Sequence, residues 1–370
     1  MKKRKKVFVG MSGGVDSSVS AALLKNQGYD VVGVFIRTWH PDFLECNEEE
    51  ERRDAMRVAA HLDIPFLTFD LEEVYKKEVA DYMISEYKKG RTPNPDVMCN
   101  KEVKFGAFLK KAISMGADCV ATGHYASLRK SNKNSSLYPQ AGSDTNSFFL
   151  DLLRGNDSTK DQSYFLWTLN QKQLSKILFP IGHLPKTEVR KLAKKFDLPV
   201  ADKKDSQGIC FLGQVDLKDF LKHYIKEKKG KVVNESGIVI GHHDGVQFHT
   251  LGERHGFIIT DKKQDDKPYY IISKDIKKNI LVVSQNRNLK DSNNTLVYEI
   301  EDTNWISSLP EKDKKYTAQI RYHGEFLSCQ LEIKGKNKAK VIFDKSTVVA
   351  SGQSIVIYDK DICLGGGVVI

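Results

Sequence analysis

The chain has 370 residues, more than one ordinary hydrophobic core accommodates, so two or three domains are expected. With 40% hydrophobic and 29% charged residues it has a globular composition, and no uncharged apolar run approaches the ~18 residues that a membrane span needs. Lysine and arginine exceed aspartate and glutamate by 10, a surplus that attracts polyanions but equally fits a generic basic surface.

The basic start leads into an apolar stretch too short for a signal sequence, so a cytoplasmic location is expected. Residues 5–10 are β-branched and aromatic and predict a strand. Residues 11–16 are glycine-rich, and 17–27 place Val19, Ala22 and Leu23 at helical spacing before Gly28. A second buried strand is predicted over 31–36. This is a βαβ unit, which implies a parallel sheet with right-handed crossovers. The alternation continues with helices over 48–62, 74–89 and 105–115 and strands over 66–70 and 119–122. Residues 131–146, rich in serine and asparagine, read as a polar surface loop, and 188–196 as a basic helix.

Beyond residue 230 the texture changes to short β-rich runs, at 237–241, 269–273, 280–284, 316–321, 327–333, 339–343 and 354–358. Turn residues separate them, as in an antiparallel sheet or barrel. The expected fold is therefore α/β. A Rossmann-like parallel sheet occupies 1–212, a small central domain 213–290 and a C-terminal antiparallel β-barrel 291–370.

Three motifs carry chemistry. Between the first strand and helix lies Ser12-Gly13-Gly14-Val15-Asp16-Ser17-Ser18. Glycines let the backbone approach a phosphate while amides and the helix dipole face the anion. The motif lacks the Walker G-K-[ST] ending and the G-x-G-x-x-G pattern. Asp16 is placed to hold Mg²⁺ or orient a pyrophosphate, or merely to cap the helix. The second motif, residues 90–101, is studded with proline and presents Asp96 three residues before Cys99. Its rigidity holds the two side chains in fixed relation, and Lys101 with a nearby helix start favours a thiolate. In the third, residues 203–211, Cys210 follows a basic pair and a flexible glycine.

The six cysteines, Cys46, Cys99, Cys119, Cys210, Cys329 and Cys363, form no C-x-x-C pair and are too sparse for a disulfide scaffold. Core packing is the default for Cys119, Cys329 and Cys363. His242, His243, His249 and His255 fit neither a helix face nor the spacing of structural zinc, so no metal site is expected.

The first motif resembles the pyrophosphate loop of the adenine nucleotide α-hydrolase-like (PP-loop) ATPases, a group that also includes amide-forming synthetases. Taken with GRTPNPDVMCNKEVKFG at 90–106, ATGHYA at 121–126, KDQSYFL at 160–166, DSQGICF at 205–211, IRYH at 320–323, SGQS at 351–354 and CLGGGVVI at 363–370, the chain closely resembles the tRNA-specific 2-thiouridylase family. The resemblance implies ATP-dependent 2-thiolation of the wobble uridine of tRNAs for Lys, Glu and Gln, through adenylation of the C2 oxygen. It implies an ATP site, with Mg²⁺, at Gly10, Met11, Ser12, Gly13, Gly14, Val15, Asp16, Ser17, Ile36 and Gly123. Asn94, Pro95 and Asp96 would meet the target base, with Asp96 as general acid/base. Cys99 matches the family's nucleophile and Cys210 its persulfide carrier. His124, Lys160, Asp161, Gln162, Arg321, Tyr322 and Gln353 match positions that touch tRNA. The implied partners are tRNA and a cysteine desulfurase or sulfur-relay protein, and a monomer is expected. Glu253 stands where the family usually has Gln, and the loop 131–146 is longer than usual. Two rivals remain: a PP-loop synthetase, which has no need for Asp96, Cys99 and Cys210 together, and a non-catalytic RNA-binding protein, which has no need for an intact phosphate loop.

Overall fold

A computed structural model of the chain describes residues 4–44, 47–131, 149–205, 216–260, 267–286 and 296–370. Cys46, Cys210 and the loop expected at 131–146 (beyond Ser131) lie outside the described residues.

In the N-terminal segment β1 (Lys6–Gly10), β2 (Asp30–Arg37), β3 (Phe66–Asp70) and β4 (Cys119–Ala121) follow the predicted alternation. The next two strands, β5 (Ala126–Lys130) and β6 (Leu150–Arg154), form an antiparallel hairpin, and β7 (Ile177–Leu178) returns to the first sheet. That sheet is parallel throughout, in the order β3-β2-β1-β4-β7. Alternation along β1 sends Val7 and Val9 to one face, against the Val15–Asn26 and Lys186–Lys195 helices. Phe8 goes to the other face, into a core with Tyr75, Val79, Met83 and Phe108. The helix expected over 74–89 is present as Glu72–Tyr75, a π-type stretch at Lys76–Asp81 and Tyr82–Lys88.

The central strands β8 (Gly230–Val233), β9 (Val239–His243), β10 (Phe257–Ile259), β11 (Tyr270–Asp275) and β12 (Ile280–Ser284) form a sheet in the order β10-β9-β8-β12-β11. It is mixed, because β8 and β12 run parallel. Val232, Val246, Ile271, Leu281 and Val283 fill its small core.

The C-terminal strands are β13 (Val297–Trp305), β14 (Tyr316–Gln319), β15 (Leu327–Ile333), β16 (Lys338–Phe343), β17 (Ser354–Asp359) and β18 (Ile362–Val369). Pairing of β13 with β18 closes them into an antiparallel barrel. Period-two alternation turns Cys329 and Leu331 of β15 and Ala339, Val341 and Phe343 of β16 inward. The first residues of β18 also pair with β6, so the β5–β6 hairpin of the N-terminal segment extends the barrel sheet. Burial raises the Cys329 thiol to about 12 and pushes those of Cys119 and Cys363 up as well, which suits inert packing positions. Among the described residues no helix is long and apolar enough to cross a membrane.

Candidate nucleotide and thiol site

The phosphate loop sits where β1 feeds the Val15–Asn26 helix, at the carboxyl edge of the parallel sheet. Gly13 has φ +70°, and a Cβ there would collide with the Glu51 carbonyl. Gly14, not Asp16, is the N-cap, and no side chain caps the first turn, so its amides are available to an anion. Ser17 Oγ closes the loop by accepting from Ser12 N at 3.2 Å. Met11 and Val15 point into the core, at 2% and 4% exposure, and offer only backbone to a ligand. Gly123, just past β4, is pressed against the same turn: a Cβ would lie 2.7 Å from Ser17 N. Gly10 leaves room for Phe108 and Ile36, which a Cβ would meet at 3.6 and 3.8 Å.

Asp16 lies in the first helical turn, and its carboxylate is fully engaged. Tyr125 donates its hydroxyl at 2.8 Å, and Lys186 Nζ reaches the two oxygens at 2.8 and 2.9 Å. Lys186 also pairs with Asp205 at 2.8 Å, which Lys160 and Arg190 approach at 2.8 and 2.6 Å. Burial would raise the Asp205 carboxyl, but hydrogen bonds and charge from Lys160 and Lys186 outweigh it and hold the group far below the usual carboxylate range. Burial, then Asp16, pushes the Tyr125 phenol up, so it stays a donor.

These groups fit a polyphosphate: bare glycine backbone, an uncapped helix turn and a nearby ammonium. They do not form a ready-made divalent cation site. Among the described residues no cluster of three or more His, Cys, Asp or Glu is placed to hold an ion. A Mg²⁺ here would draw ligands from the phosphates and displace Lys186 from Asp16.

The Asp96–Cys99 segment is not a loop throughout. Asn94 is an N-cap whose Oδ1 accepts from Val97 N at 3.2 Å, and Pro95 occupies N1 of the Pro95–Met98 helix. Helix continues through Cys99–Phe108 and Leu109–Ser114. Asp96 and Cys99, three apart, therefore share a helix face. Cys99 is 3% exposed. The ammonium of Lys101 pairs with Glu102 at 3.0 Å, so it is not reserved for the thiol.

Upstream, residues 90–94 are held from two sides. On the barrel side, Thr92 N donates to Ser351 O at 2.7 Å, Gln353 Nε2 to Thr92 O at 2.8 Å, and Arg91 pairs with Glu301 at 3.2 Å. On the central side, Thr92 Oγ1 meets Thr250 Oγ1 at 3.1 Å and Lys274 Nζ donates to Gly90 O at 2.9 Å. Downstream, Phe108 shares a core with Phe8 of β1, the strand that leads into the phosphate loop.

The residues matched to tRNA contacts fall into two groups. Arg321 is exposed on a barrel turn. Beside it Tyr322 lies against Phe165 and His323, with ring centroids 4.5 and 3.9 Å apart. Burial, then Asp161 and Asp96, raises its phenol to about 12, which places Tyr322 within electrostatic reach of Asp96. The others are committed internally. His124 is buried, bonds Thr122 Oγ1 at 2.8 Å and is held neutral by burial and by Lys104. Asp161 accepts from Arg154 and from the Gly155 and Ser163 amides, each at 3.0 Å. Gln162 Oε1 accepts from Tyr125 N at 3.0 Å, and Lys160 serves Asp205.

The family model described as a tRNA methyl transferase HUP domain matches residues 5–214. Models described as a tRNA methyl transferase PRC-barrel domain and an aminomethyltransferase beta-barrel domain match 218–285 and 297–369. A protein of Oceanobacillus iheyensis named tRNA-specific 2-thiouridylase MnmA is 44% identical over 99% of this chain and 95% of its own length. The chain belongs to the tRNA-specific 2-thiouridylase family. Thiouridylases of the same name from Geobacillus thermodenitrificans and Listeria monocytogenes are 44% and 43% identical, each over 98% of this chain and 94% of theirs.

Within this thiouridylase family framework, Tyr125, Lys186, Arg190 and Lys274 are site-proximal residues that sequence reasoning missed. Lys186 carried a signal: a cation directly after Pro185, opening a helix. The histidines form no metal cluster among the described residues. His243 and His249 are buried with rings 5.6 Å apart, and burial, then His249, lowers His243 to about 4. Glu253 lies 3.6 Å from His249 Nδ1, so the carboxylate at the position of the usual Gln has a local cationic partner when that ring is protonated.

Proposed function

We propose that this chain is an ATP-dependent tRNA sulfurtransferase that 2-thiolates the wobble uridine of tRNAs for Lys, Glu and Gln. The observation that carries this reading is the physical link between its two chemistries. Asp96 and Cys99 lie on one turn of a helical run whose Phe108 faces the end of β1 that leads into the phosphate loop, where a Cβ on Gly10 would meet it at 3.6 Å. Three units, near 1–212, 213–290 and 291–370, are proposed to act together, in a cytoplasmic monomer.

A uridine C2 carbonyl is a poor electrophile, and oxide is a poor leaving group. ATP supplies the activation by adenylating the C2 oxygen; a Mg²⁺ bound with it near Asp16 would supply charge neutralisation for the departing pyrophosphate. The uncapped turn at Gly14 and the Lys186 ammonium hold the phosphates. Arg321 and Tyr322 grip the RNA beside Asp96, and the target base leaves its stack to reach the site. Asp96 then serves as general acid/base at the base edge.

Sulfur arrives on Cys210 as a persulfide from a cysteine desulfurase or relay protein. Only five positions separate Cys210 from Asp205, which is pinned beside the phosphate loop. The terminal sulfur attacks C2 and expels AMP, after which Cys99 attacks Cys210 Sγ and frees the thiouridine. Alternatively Cys99 attacks first and releases sulfide, which then attacks C2. Both routes reduce the transferred sulfur by two electrons and leave a Cys99–Cys210 disulfide, which an external thiol must reset.

The test is a single turnover with ATP, tRNA and persulfide-loaded enzyme. Expected products are pyrophosphate, AMP, 2-thiouridine and the Cys99–Cys210 disulfide in equal amounts. Pyrophosphate release that tRNA does not stimulate counts against the reading.

A further inference from the structure

We propose that Lys274 is a positioning residue for Cys99, acting through the loop at 90–94; this rests on the sulfur-transfer reading above. Lys274 is the penultimate residue of β11 in the central sheet and is half-buried. Its ammonium donates to Gly90 O at 2.9 Å and to His249 O at 2.5 Å, so one side chain joins the start of the thiol loop to the turn before Thr250. The neighbouring Ile276 side chain packs on Gly90, which adopts φ +77°, a conformation that favours glycine at this point of the grip. Gly90 in turn is four residues before the Asn94 cap that starts the helix of Asp96 and Cys99.

Lys274 has an odd balance for a merely structural residue. Its ammonium is half-stripped of water, its carbonyl partners are neutral, and Glu253 is the charged group that offsets this. An apolar side chain of similar length would escape that desolvation cost, at the expense of leaving two carbonyls without this donor. What such a side chain lacks is the pair of donors that fix Gly90 relative to His249. The barrel grips the next residues, Arg91 and Thr92, and Lys274 supplies the central side's hold on Gly90, alongside the Thr250 contact to Thr92.

Two measurements on the full-length enzyme test this. The first is alkylation of Cys99 by iodoacetamide, followed by peptide mass spectrometry, which needs no turnover. Cys99 is 3% exposed, so it reacts slowly in the wild type. Lys274→Met should raise its rate at least about fivefold, leave Cys329 and Cys363 unreactive, and keep the thermal midpoint. Lys274→Arg, which restores two carbonyl donors, should return the rate to within about twofold. The second is single-turnover thiolation: Lys274→Met should lower the sulfur-transfer rate about tenfold with unchanged KM for ATP. Wild-type alkylation and transfer rates in Lys274→Met overturn the proposal, as does a failure of Lys274→Arg to rescue. If Lys274→Met does not fold, Thr250→Val removes a contact on the same side of the loop and must itself raise Cys99 alkylation; no rise overturns the proposal. A wild-type enzyme that thiolates no tRNA would instead sink the functional reading, leaving the alkylation result to judge Lys274.

Discussion

Lys186 reaches both carboxylate oxygens of Asp16, at 2.8 and 2.9 Å, from a helix more than 150 residues downstream. The same ammonium contacts Asp205 at 2.8 Å, so a single cation connects the phosphate loop to Asp205, the residue five positions before Cys210 in sequence.

Replacing Lys186 with Met removes this connection and the ammonium that would meet a phosphate. A charge-assisted pair in this partly buried setting is worth roughly 1.5–3 kcal/mol, so tRNA-stimulated pyrophosphate release should fall about 10- to 100-fold. A coupled pyrophosphate assay reads it directly. Release within twofold of wild type would remove Lys186 from the nucleotide site.

Gly123→Ala places a methyl 2.7 Å from Ser17 N and 2.8 Å from the Asp16 carbonyl carbon, both backbone atoms that cannot step aside. Overpacking of this kind costs roughly 1–3 kcal/mol and falls on the phosphate turn. ATP affinity by calorimetry should drop at least about tenfold while the circular dichroism spectrum is retained.

The two cysteines separate by step. Cys210→Ser should abolish thiolation and leave ATP binding intact. Cys99→Ala should allow persulfide loading and prevent the intramolecular disulfide, as mass spectrometry after one turnover would register. Retained thiolation in Cys210→Ser refutes the carrier role.

Lys274 makes a pH prediction with a definite sign. Its folded value, lowered from 10.5 to about 8 by burial, lies below the unfolded one. Between about pH 8 and 10.5 the unfolded chain therefore binds more protons, and stability from this group rises with pH across that window. Below pH 8 the full penalty is present. Measured in urea, the stability of Lys274→Met relative to wild type should fall as pH rises from 7 to 10. A difference that stays constant across that window would contradict this.

Arg321→Ala should weaken tRNA binding with little change in ATP affinity. If its contact is to a phosphate, the salt dependence of binding should lose about one unit of slope. Titration at several salt concentrations distinguishes this from a loss of fold.

Local pattern made the phosphate loop and its flanking strand and helix readable, because Val19, Ala22, Leu23 and the closing Gly28 all act within one turn or two. The start of the thiol helix was also written locally, as Asn94 then Pro95, yet two prolines near each other suggest a loop more readily than a cap. Strands β13 and β18 escaped periodicity for physical reasons. The first carries Glu299, Glu301, Asp302 and Asn304 in its run. The second has glycines where a partner strand passes close: a Cβ on Gly365 would strike the Asn304 carbonyl. The β5–β6 hairpin could not be assigned to the barrel, since β18 lies some 200 residues further on. Asp161 and Gln162 look like surface polar residues in sequence, and only the fold reveals that they bond Arg154 and Tyr125.

The double hold on the loop before Cys99 sets a schedule for the newborn enzyme. Gln353 and Val369, which secure Thr92 and Arg91, are synthesised 261 and 278 residues after their partners. At typical translation rates that is a delay of roughly 15–50 s. For the later part of that interval, once β7 has been made, the phosphate loop and its sheet have all their residues, but the thiol segment does not have its barrel anchors. A chain truncated before β17 should therefore keep the parallel sheet and phosphate loop while lacking the Gln353 and Val369 contacts that hold Thr92 and Arg91.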